Sequence, residues 1–132
     1  MQVDGTVFIV DDDEAVRDSL KLLLEAYGLG VKEYASCEAF VHDYRPQIRQ
    51  CLVLDHHLPG KTGLELVESL EQDRAPLPII LVTGQGDNTV KARAQAAGVV
   101  AYLKKPVMES RLLPLIYAAL AKPQTGLRDL QP

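Results

Sequence analysis

Three apolar segments of this chain end abruptly in charged residues, and this pattern restricts the fold more than any other feature of the sequence. The segments are Phe8-Ile9-Val10-Asp11-Asp12, Leu52-Val53-Leu54-Asp55 and Tyr102-Leu103-Lys104-Lys105. Short continuous apolar runs are typical of strands buried on both faces of a parallel sheet. Because ligands bind at the carboxyl ends of such strands, the acids and the lysine are predicted to meet at one rim.

Strand-like runs alternate with helix-periodic segments along the chain. The predicted strands are residues 7–10, 31–34, 51–54, 79–82 and 99–103. The predicted helices are residues 14–27, 37–44, 63–71, 88–97 and, approximately, 111–121. Alternation of this kind favours right-handed crossovers and helices on both faces of a parallel sheet. We therefore predict an α/β fold, a flavodoxin-like (βα)5 doubly wound parallel sheet with strand order 2-1-3-4-5.

Residues 1–122 are predicted to form one domain, and residues 123–132, which lack periodicity, a tail or the start of a linker. The fourth helix has few large apolar residues and should be lightly anchored. In the last helix Met108 is a poor cap and Pro114 lacks an N–H group, so a late start or a bend is expected. This helix is apolar nearly all round, and Leu113 and Tyr117 are predicted to be exposed.

Composition excludes several classes of protein. The formal net charge is -4 and the 14 basic residues are scattered, which argues against direct nucleic-acid binding. Two isolated cysteines, Cys37 and Cys51, favour reduced thiols and a cytoplasmic location. A signal peptide and a membrane-spanning run are not expected, because no apolar stretch approaches the roughly 20 residues that cross a bilayer.

Asp55 and its predicted neighbours suit phosphoryl transfer. A carboxylate can attack a phosphoryl group only if the surrounding negative charge is neutralised, which requires a divalent cation and a fixed ammonium group. Asp11, Asp12 and Lys105 supply that setting. Asp13, just before the first helix, is predicted to be only a helix cap.

These segments, together with Ile80-Leu81-Val82-Thr83-Gly84, resemble the receiver domain of two-component response regulators, in particular its FixJ-like group. The resemblance runs from about Thr6 to about Leu120. It implies that Asp55 is the phosphoacceptor, taking a phosphoryl group from a histidine kinase or a histidine phosphotransfer protein. It also implies Mg²⁺ ligation by Asp12, Asp55 and the backbone carbonyl of His57, with Asp11 acting largely through water.

The same resemblance implies a switch. Thr83 would move to hydrogen-bond the phosphoryl group, and Tyr102 would fill the vacated space. Lys105 would pair with Asp55, and the Lys105–Pro106 peptide bond would be cis, which directs the lysine into the pocket. His57 and Gln85 would affect the lifetime of the phosphate. The face formed by the fourth helix, fifth strand and fifth helix would bind a partner or form a phosphorylation-linked homodimer, although the chain departs from common patterns there at Ala101 and Lys104.

We expect a signalling phosphoacceptor and not an enzyme, and the sequence leaves self-dephosphorylation open. Several alternatives compete with this interpretation. A haloacid-dehalogenase-like aspartyl phosphatase needs an aspartate at position 57, where this chain has His. A non-phosphorylated pseudo-receiver binding module would lack one of the key residues, and all are present. Flavin binding needs a phosphate-binding loop where this chain is acidic. A zinc site at His56 and His57 is disfavoured because consecutive side chains point apart.

Overall fold

The computed structural model describes residues 5–72 and 77–121, with the side chains of residues 71 and 72 left out. The strands are β1 Thr6–Val10, β2 Gly30–Tyr34, β3 Gln50–Asp55, β4 Ile79–Thr83 and β5 Ala101–Lys104. The helices are α1 Glu14–Ala26, α2 Cys37–Asp43, α3 Gly63–Gln72, α4 Asn88–Ala96 and α5 Glu109–Ala121. All ten predicted elements are confirmed, and the predicted tail, residues 123–132, lies outside the described residues.

The five strands form one parallel sheet in the order β2-β1-β3-β4-β5, which confirms the predicted flavodoxin-like fold. Every residue of β3 and β4 is buried, as expected for strands covered by helices on both faces. The parallel register places Leu54 beside both Val10 and Leu81, so these strands end at a common rim. The loops after β1, β3, β4 and β5 therefore converge there.

Side chains that alternate along the strands build two apolar layers. Val7 and Ile9 lie in the layer beneath α1 and α5, whereas Phe8 and Val10 lie in the layer beneath α2, α3 and α4. Phe8 makes an edge-on contact with Phe40 of α2, with ring centroids 5.3 Å apart. These layers hold the sheet, and therefore its carboxyl rim, in place.

The helix starts follow from capping groups that the sequence indicates. The Asp13 carboxylate accepts hydrogen bonds from the first turn of α1, which confirms its role as a cap. Thr62 and Glu65 exchange reciprocal hydrogen bonds at the start of α3. Asp87 caps α4, in which Ala94 is the buried residue, so the light anchoring of this helix is confirmed.

The structure of α5 differs from the sequence-based expectations. The helix begins at Glu109, with Pro114 inside it, so of the two alternatives, a late start or a bend, the late start is wrong. The predicted exposure of Leu113 and Tyr117 is also wrong. Leu113 is buried, with 7% of its surface exposed, and Tyr117 is half-buried. The reason is the width of the buried stripe, which includes two adjacent positions per turn where the helix packs against β-strand side chains. Its members are Leu112, Leu113, Ile116, Ala119 and Leu120.

Within residues 5–72 and 77–121, none of the helices combines the length and apolar character needed to cross a membrane. Both cysteines, Cys37 and Cys51, are free and buried. Burial raises the pKa of the Cys37 thiol to about 11 and that of the Cys51 thiol to about 12. Both side chains are therefore protonated core residues near neutral pH.

Candidate functional site

Three carboxylates lie together at the carboxyl rim of the sheet. Asp11 and Asp12 follow β1, Asp55 ends β3, and one oxygen from each lies within 4.8 Å of the others. Asp11 and Asp55 are buried, with 4% of their surface exposed, while Asp12 is exposed. The predicted convergence of these residues on one rim is therefore what the structure has.

The ammonium group of Lys105 lies between the two buried carboxylates. Its Nζ atom is 3.1 Å from Oδ2 of Asp11 and 3.3 Å from Oδ2 of Asp55. Burial acts to lower the pKa of Lys105, but the hydrogen bond to Asp11 and the charges of both aspartates outweigh it, and the pKa is raised. Lys105 is therefore a fixed positive charge, and its bond to Pro106 is cis, as predicted.

The ionised form of Asp55 is destabilised overall, although this carboxylate has favourable contacts with His57 and Lys105. Burial raises its pKa, and the negative charge of Asp11 raises it further. The backbone N–H of His57, which donates to Oδ1 at 3.1 Å, and Lys105 offset this only in part. The pocket thus carries excess negative charge that a cation would relieve.

The three carboxylates fit a magnesium ion. Oxygen ligands about 2.1 Å from Mg²⁺ lie at most about 4.2 Å apart, and these oxygens lie within 4.8 Å of one another. A set made only of oxygen donors, partly open to solvent at Asp12, also suits an ion that keeps several waters. Among the described residues, this acidic trio is the one cluster of three His, Cys, Asp or Glu side chains with ligand atoms close enough for a shared metal.

Thr83, at the end of β4, is buried and its hydroxyl has three neighbours. The Oγ1 atom donates to the backbone carbonyl of Gln85 at 2.8 Å and accepts from the backbone N–H of Gln85 at 3.2 Å. Nε2 of His57 lies 3.0 Å from the same oxygen. The two residues predicted to affect phosphate lifetime are thus joined to the predicted switch residue.

Four of the predicted site residues form a closed ring of three hydrogen bonds and one ion pair. The His57 N–H donates to Asp55, and the His57 ring contacts Thr83. The backbone N–H of Lys105 donates to the carbonyl of Thr83 at 2.7 Å, and the Lys105 ammonium returns to Asp55. The ring joins the ends of β3, β4 and β5, so each corner depends on two others.

Tyr102 lies beside Leu81 in the sheet and is half-buried against the layer beneath α4. Its hydroxyl is buried and has no hydrogen-bond partner among the residues that the structure describes. It lines a cavity of about 580 Å³ between the start of α4, β5 and the start of α5. The structure does not bring Tyr102 into hydrogen-bond contact with Thr83.

We define the α4–β5–α5 face as the surface around that cavity, represented by Lys91, Tyr102, Lys104, Met108 and Arg111. Its three cations are exposed and make no ion pair with any described residue. The aliphatic chain of Lys104 lies over Gly86, in the loop after β4. Asp87, the cap of α4, also lines the cavity, so the face carries three cations and one carboxylate on a chain with a net charge of -4.

Two contacts that support the site were not predicted. The guanidinium of Arg17 donates to the backbone carbonyl of Asp11 at 2.7 Å and pairs with Glu33 at 3.1 Å. A cation in the first turns of a helix is unfavourable against the helix dipole. The position of Arg17 was therefore the sequence feature that could have indicated a specific contact for this residue. A Cβ atom at Gly63 would lie 2.5 Å from the carbonyl oxygen of Asp55, so the start of α3 touches the backbone of Asp55.

The adjacent histidines serve different local contacts. Nδ1 of His56 accepts a hydrogen bond from the Leu64 N–H at 3.3 Å, which ties this side chain to α3. Burial, together with the proximity of His57, lowers the pKa of His56. His57 contacts Thr83 instead. Within residues 5–72 and 77–121 neither histidine belongs to a metal-ligand cluster.

A family model described as the response regulator receiver domain matches residues 7–117. The transcriptional regulatory protein FixJ of Bradyrhizobium diazoefficiens is 34% identical over 129 residues, which cover 98% of this chain and 63% of that relative. This chain thus spans less than two thirds of the relative's length.

Solved structures agree with the family match. The response regulator StyR superposes with a TM-score of 0.86 at 37% identity, covering 96% of this chain and 64% of StyR. The FixJ-N structure superposes with a TM-score of 0.76 at 38% identity, covering 90% of this chain and 94% of that structure. The family match over residues 7–117 includes the strands and loops that form the acidic pocket. This chain therefore belongs to the FixJ-like receiver domains of two-component response regulators.

Proposed function

We propose that Asp55 accepts a phosphoryl group from a histidine kinase or a histidine phosphotransfer protein. An oxygen of Asp55 forms the bond to phosphorus, the P–N bond of the donor phosphohistidine breaks, and the electron pair leaves with the imidazole. The observation that carries the proposal is the placement of Asp55 between a fixed ammonium group and two further carboxylates. With a divalent cation held by the carboxylates, Lys105 and the cation together would neutralise incoming phosphoryl oxygens at one specific carboxylate.

The residues around Asp55 take separate roles in the proposal. Lys105 moves from the Asp55 carboxylate to a phosphoryl oxygen, and Thr83 supplies a hydroxyl to another. Tyr102 responds to the movement of Thr83. His57 and Gln85 affect how long the phosphate persists, because both border the switch hydroxyl. Self-dephosphorylation by water is the one turnover expected, so the chain acts as a signalling protein and not as an enzyme on external substrates.

Asp12, Asp55 and the backbone carbonyl of His57 would hold Mg²⁺, with Asp11 acting through water. When bound, the ion supplies positive charge against the phosphoryl oxygens. Asp11 is already held by Lys105 and by the backbone N–H of Asp13 at 2.9 Å, which favours an indirect role. Asp12 is exposed and therefore free to turn toward a ligand.

The output of the domain is proposed to be the α4–β5–α5 face, through partner binding or a phosphorylation-linked homodimer. Exposed Met108, at 63%, offers an apolar contact on this face, although burial of Leu113 leaves less apolar surface than predicted.

Direct binding to nucleic acid is not proposed for residues 1–132, whose net charge is -4. We propose a cytoplasmic location, consistent with two free cysteines. We also propose that residues 1–122 are one receiver domain and residues 123–132 a tail or linker.

The test is intact mass spectrometry after incubation with acetyl phosphate, with and without Mg²⁺. We expect one added phosphoryl group that requires the metal and is lost in acid. Asp55→Asn should not be labelled, whereas Asp18→Asn, which alters an exposed aspartate on α1, should label as the parent does. Equal labelling of Asp55→Asn and the parent would contradict the proposal.

A second assay separates the phosphoacceptor from an aspartyl phosphatase. A phosphatase of that type needs a general acid two residues after its nucleophile, and this chain has His57, whose ring contacts Thr83. Steady-state hydrolysis of p-nitrophenyl phosphate at many turnovers per chain would favour the enzyme. We expect no turnover beyond that of the slowly hydrolysing acyl phosphate.

A further inference from the structure

The hydroxyl of Thr83 leaves the neighbouring histidine only one hydrogen-bonding role. A threonine hydroxyl has one hydrogen and two acceptor lone pairs. The carbonyl of Gln85, 2.8 Å from Oγ1, cannot donate, so the hydroxyl hydrogen must point toward it. Turning that hydrogen toward His57 would leave two oxygen lone pairs facing each other at 2.8 Å. His57 must therefore donate from Nε2 across its 3.0 Å contact.

His57 consequently bridges the phosphoacceptor and the switch hydroxyl. Its backbone N–H donates to Asp55, and its ring donates to Thr83, which is 99% buried. With the Gln85 N–H as the second donor, both lone pairs and the hydrogen of Thr83 Oγ1 are in use. A hydroxyl satisfied in this way must give up three hydrogen bonds before it can turn toward Asp55.

We propose that the His57 side chain is a latch that holds the Thr83 hydroxyl in its unphosphorylated position. The proposal rests on the proposed function, in which Thr83 moves to the phosphoryl group. His57 acts through Thr83 and is a positioning residue. A typical hydrogen bond changes a two-state population roughly two- to tenfold, so loss of the latch should favour the phosphorylated conformation by a factor in that range.

The chain allows a matched pair of substitutions at this position. His57→Gln keeps an N–H donor at a similar distance from the backbone, whereas His57→Leu removes the donor but keeps an apolar side chain of moderate size. Both retain the backbone N–H that contacts Asp55 and the backbone carbonyl assigned to Mg²⁺. Differences between the two variants therefore report on donation to Thr83.

The first measurement is the tautomer of His57 in the full 132-residue chain, from ¹⁵N–¹H NMR correlations of the imidazole ring. We expect the hydrogen on Nε2, with slowed solvent exchange, in the unphosphorylated protein. Addition of Mg²⁺ and beryllium fluoride, a phosphoryl mimic, should abolish that protection. A hydrogen on Nδ1 alone, or protection that beryllium fluoride does not change, would overturn the proposal.

The second measurement is the apparent affinity for beryllium fluoride in the presence of Mg²⁺. We expect His57→Leu to bind about fivefold more tightly than the parent, and His57→Gln to bind within about twofold of it. Equal behaviour of the two variants, or weaker binding by His57→Leu, would contradict the latch. If the parent labels at Asp55 while these results fail, only the latch falls. If Asp55 is never labelled, the proposed function and the latch fall together.

Discussion

The Tyr102 hydroxyl is buried without a partner among the described residues, which makes it an unfavourable group in this conformation. An unsatisfied buried donor costs about 1–3 kcal/mol. Tyr102→Phe should therefore raise the free energy of unfolding by about 1 kcal/mol in urea denaturation. Tyr34→Phe is the matched control, because the Tyr34 hydroxyl donates to Asp43 and its loss should destabilise the fold. A Tyr102→Phe variant as destabilised as Tyr34→Phe would mean that the Tyr102 hydroxyl has a partner in solution.

Asp55 should reduce stability in the metal-free protein as it ionises. Its pKa is raised by burial and by Asp11, so the folded chain holds this proton to higher pH than the unfolded chain. The loss of stability is absent below the unfolded pKa of about 3.9, grows as the pH rises through the folded pKa, and is complete above the folded pKa.

Asp55→Asn should therefore stabilise the metal-free protein near neutral pH, with a gain that vanishes in acid. Urea denaturation in chelator at several pH values measures it. Added Mg²⁺ should stabilise the parent more than the variant and so reduce the difference. Asp18→Asn, on the exposed side of α1, should have no such pH-dependent effect. A gain that stays constant across pH would argue against ionisation of Asp55 as its cause.

At the scale of residues, the sequence predicts which side chains lie close together but not which hydrogen bonds they form. Asp11, Asp55 and Lys105 converge because parallel strands end at one rim, a consequence of topology alone. The contact between His57 and Thr83 depends on side-chain rotamers and on the loop after β4, which periodicity does not determine. Arg17 reaches a backbone carbonyl, and backbone acceptors leave no mark in a sequence.

Among the elements, α3 packs against the backbone of Asp55 through a glycine. A Cβ atom at Gly63 would lie 2.5 Å from the Asp55 oxygen and 2.8 Å from the His56 Cα atom, both in backbone that cannot rotate away. Gly63→Ala should reduce the free energy of unfolding by about 1–3 kcal/mol, as overpacking does, and slow labelling of Asp55. Gly84→Ala is the control, because a Cβ atom there meets nothing within 4 Å and stability should change by less than about 0.5 kcal/mol. Equal effects in the two variants would contradict the close contact.

Sequence patterns give the elements well where capping groups and periodicity agree. Asp13, the Thr62–Glu65 pair and Asp87 each mark a helix start that the structure has. Sequence patterns fail at α5, because its residues after the first turn are nearly all apolar and do not reveal how wide the buried stripe is. Leu113 is buried for this reason, and the first turn around Glu109 forms despite a poor capping residue.

For the whole molecule, the local charge on the α4–β5–α5 face should govern association. A symmetric dimer brings the same patch of each copy together. Three cations, Lys91, Lys104 and Arg111, outnumber the one carboxylate, Asp87, so the two patches carry net charge of the same sign. We expect light scattering to detect a phosphorylation-linked dimer that added salt strengthens by screening this repulsion. Met108→Lys should weaken it, whereas Leu22→Lys, at an exposed apolar site on α1, should not. A phosphorylated chain that stays monomeric at high micromolar concentration would exclude the dimer and leave the face for another protein.

The closed ring of Asp55, His57, Thr83 and Lys105 makes the energetic contributions of its members inseparable. Residues that belong to one network of hydrogen bonds and ion pairs are often not additive, with coupling energies of about 0.5–3 kcal/mol. A double-mutant cycle on unfolding free energy should therefore find His57→Leu and Lys105→Met coupled, although the His57 ring contacts Thr83 and the Lys105 ammonium contacts Asp11 and Asp55. Ser36→Ala, which removes the cap of α2, should be additive with either. A change in the contacts of any one of these four residues would then affect the ends of β3, β4 and β5 together. In this way an acyl phosphate on Asp55 could alter the distant α4–β5–α5 face.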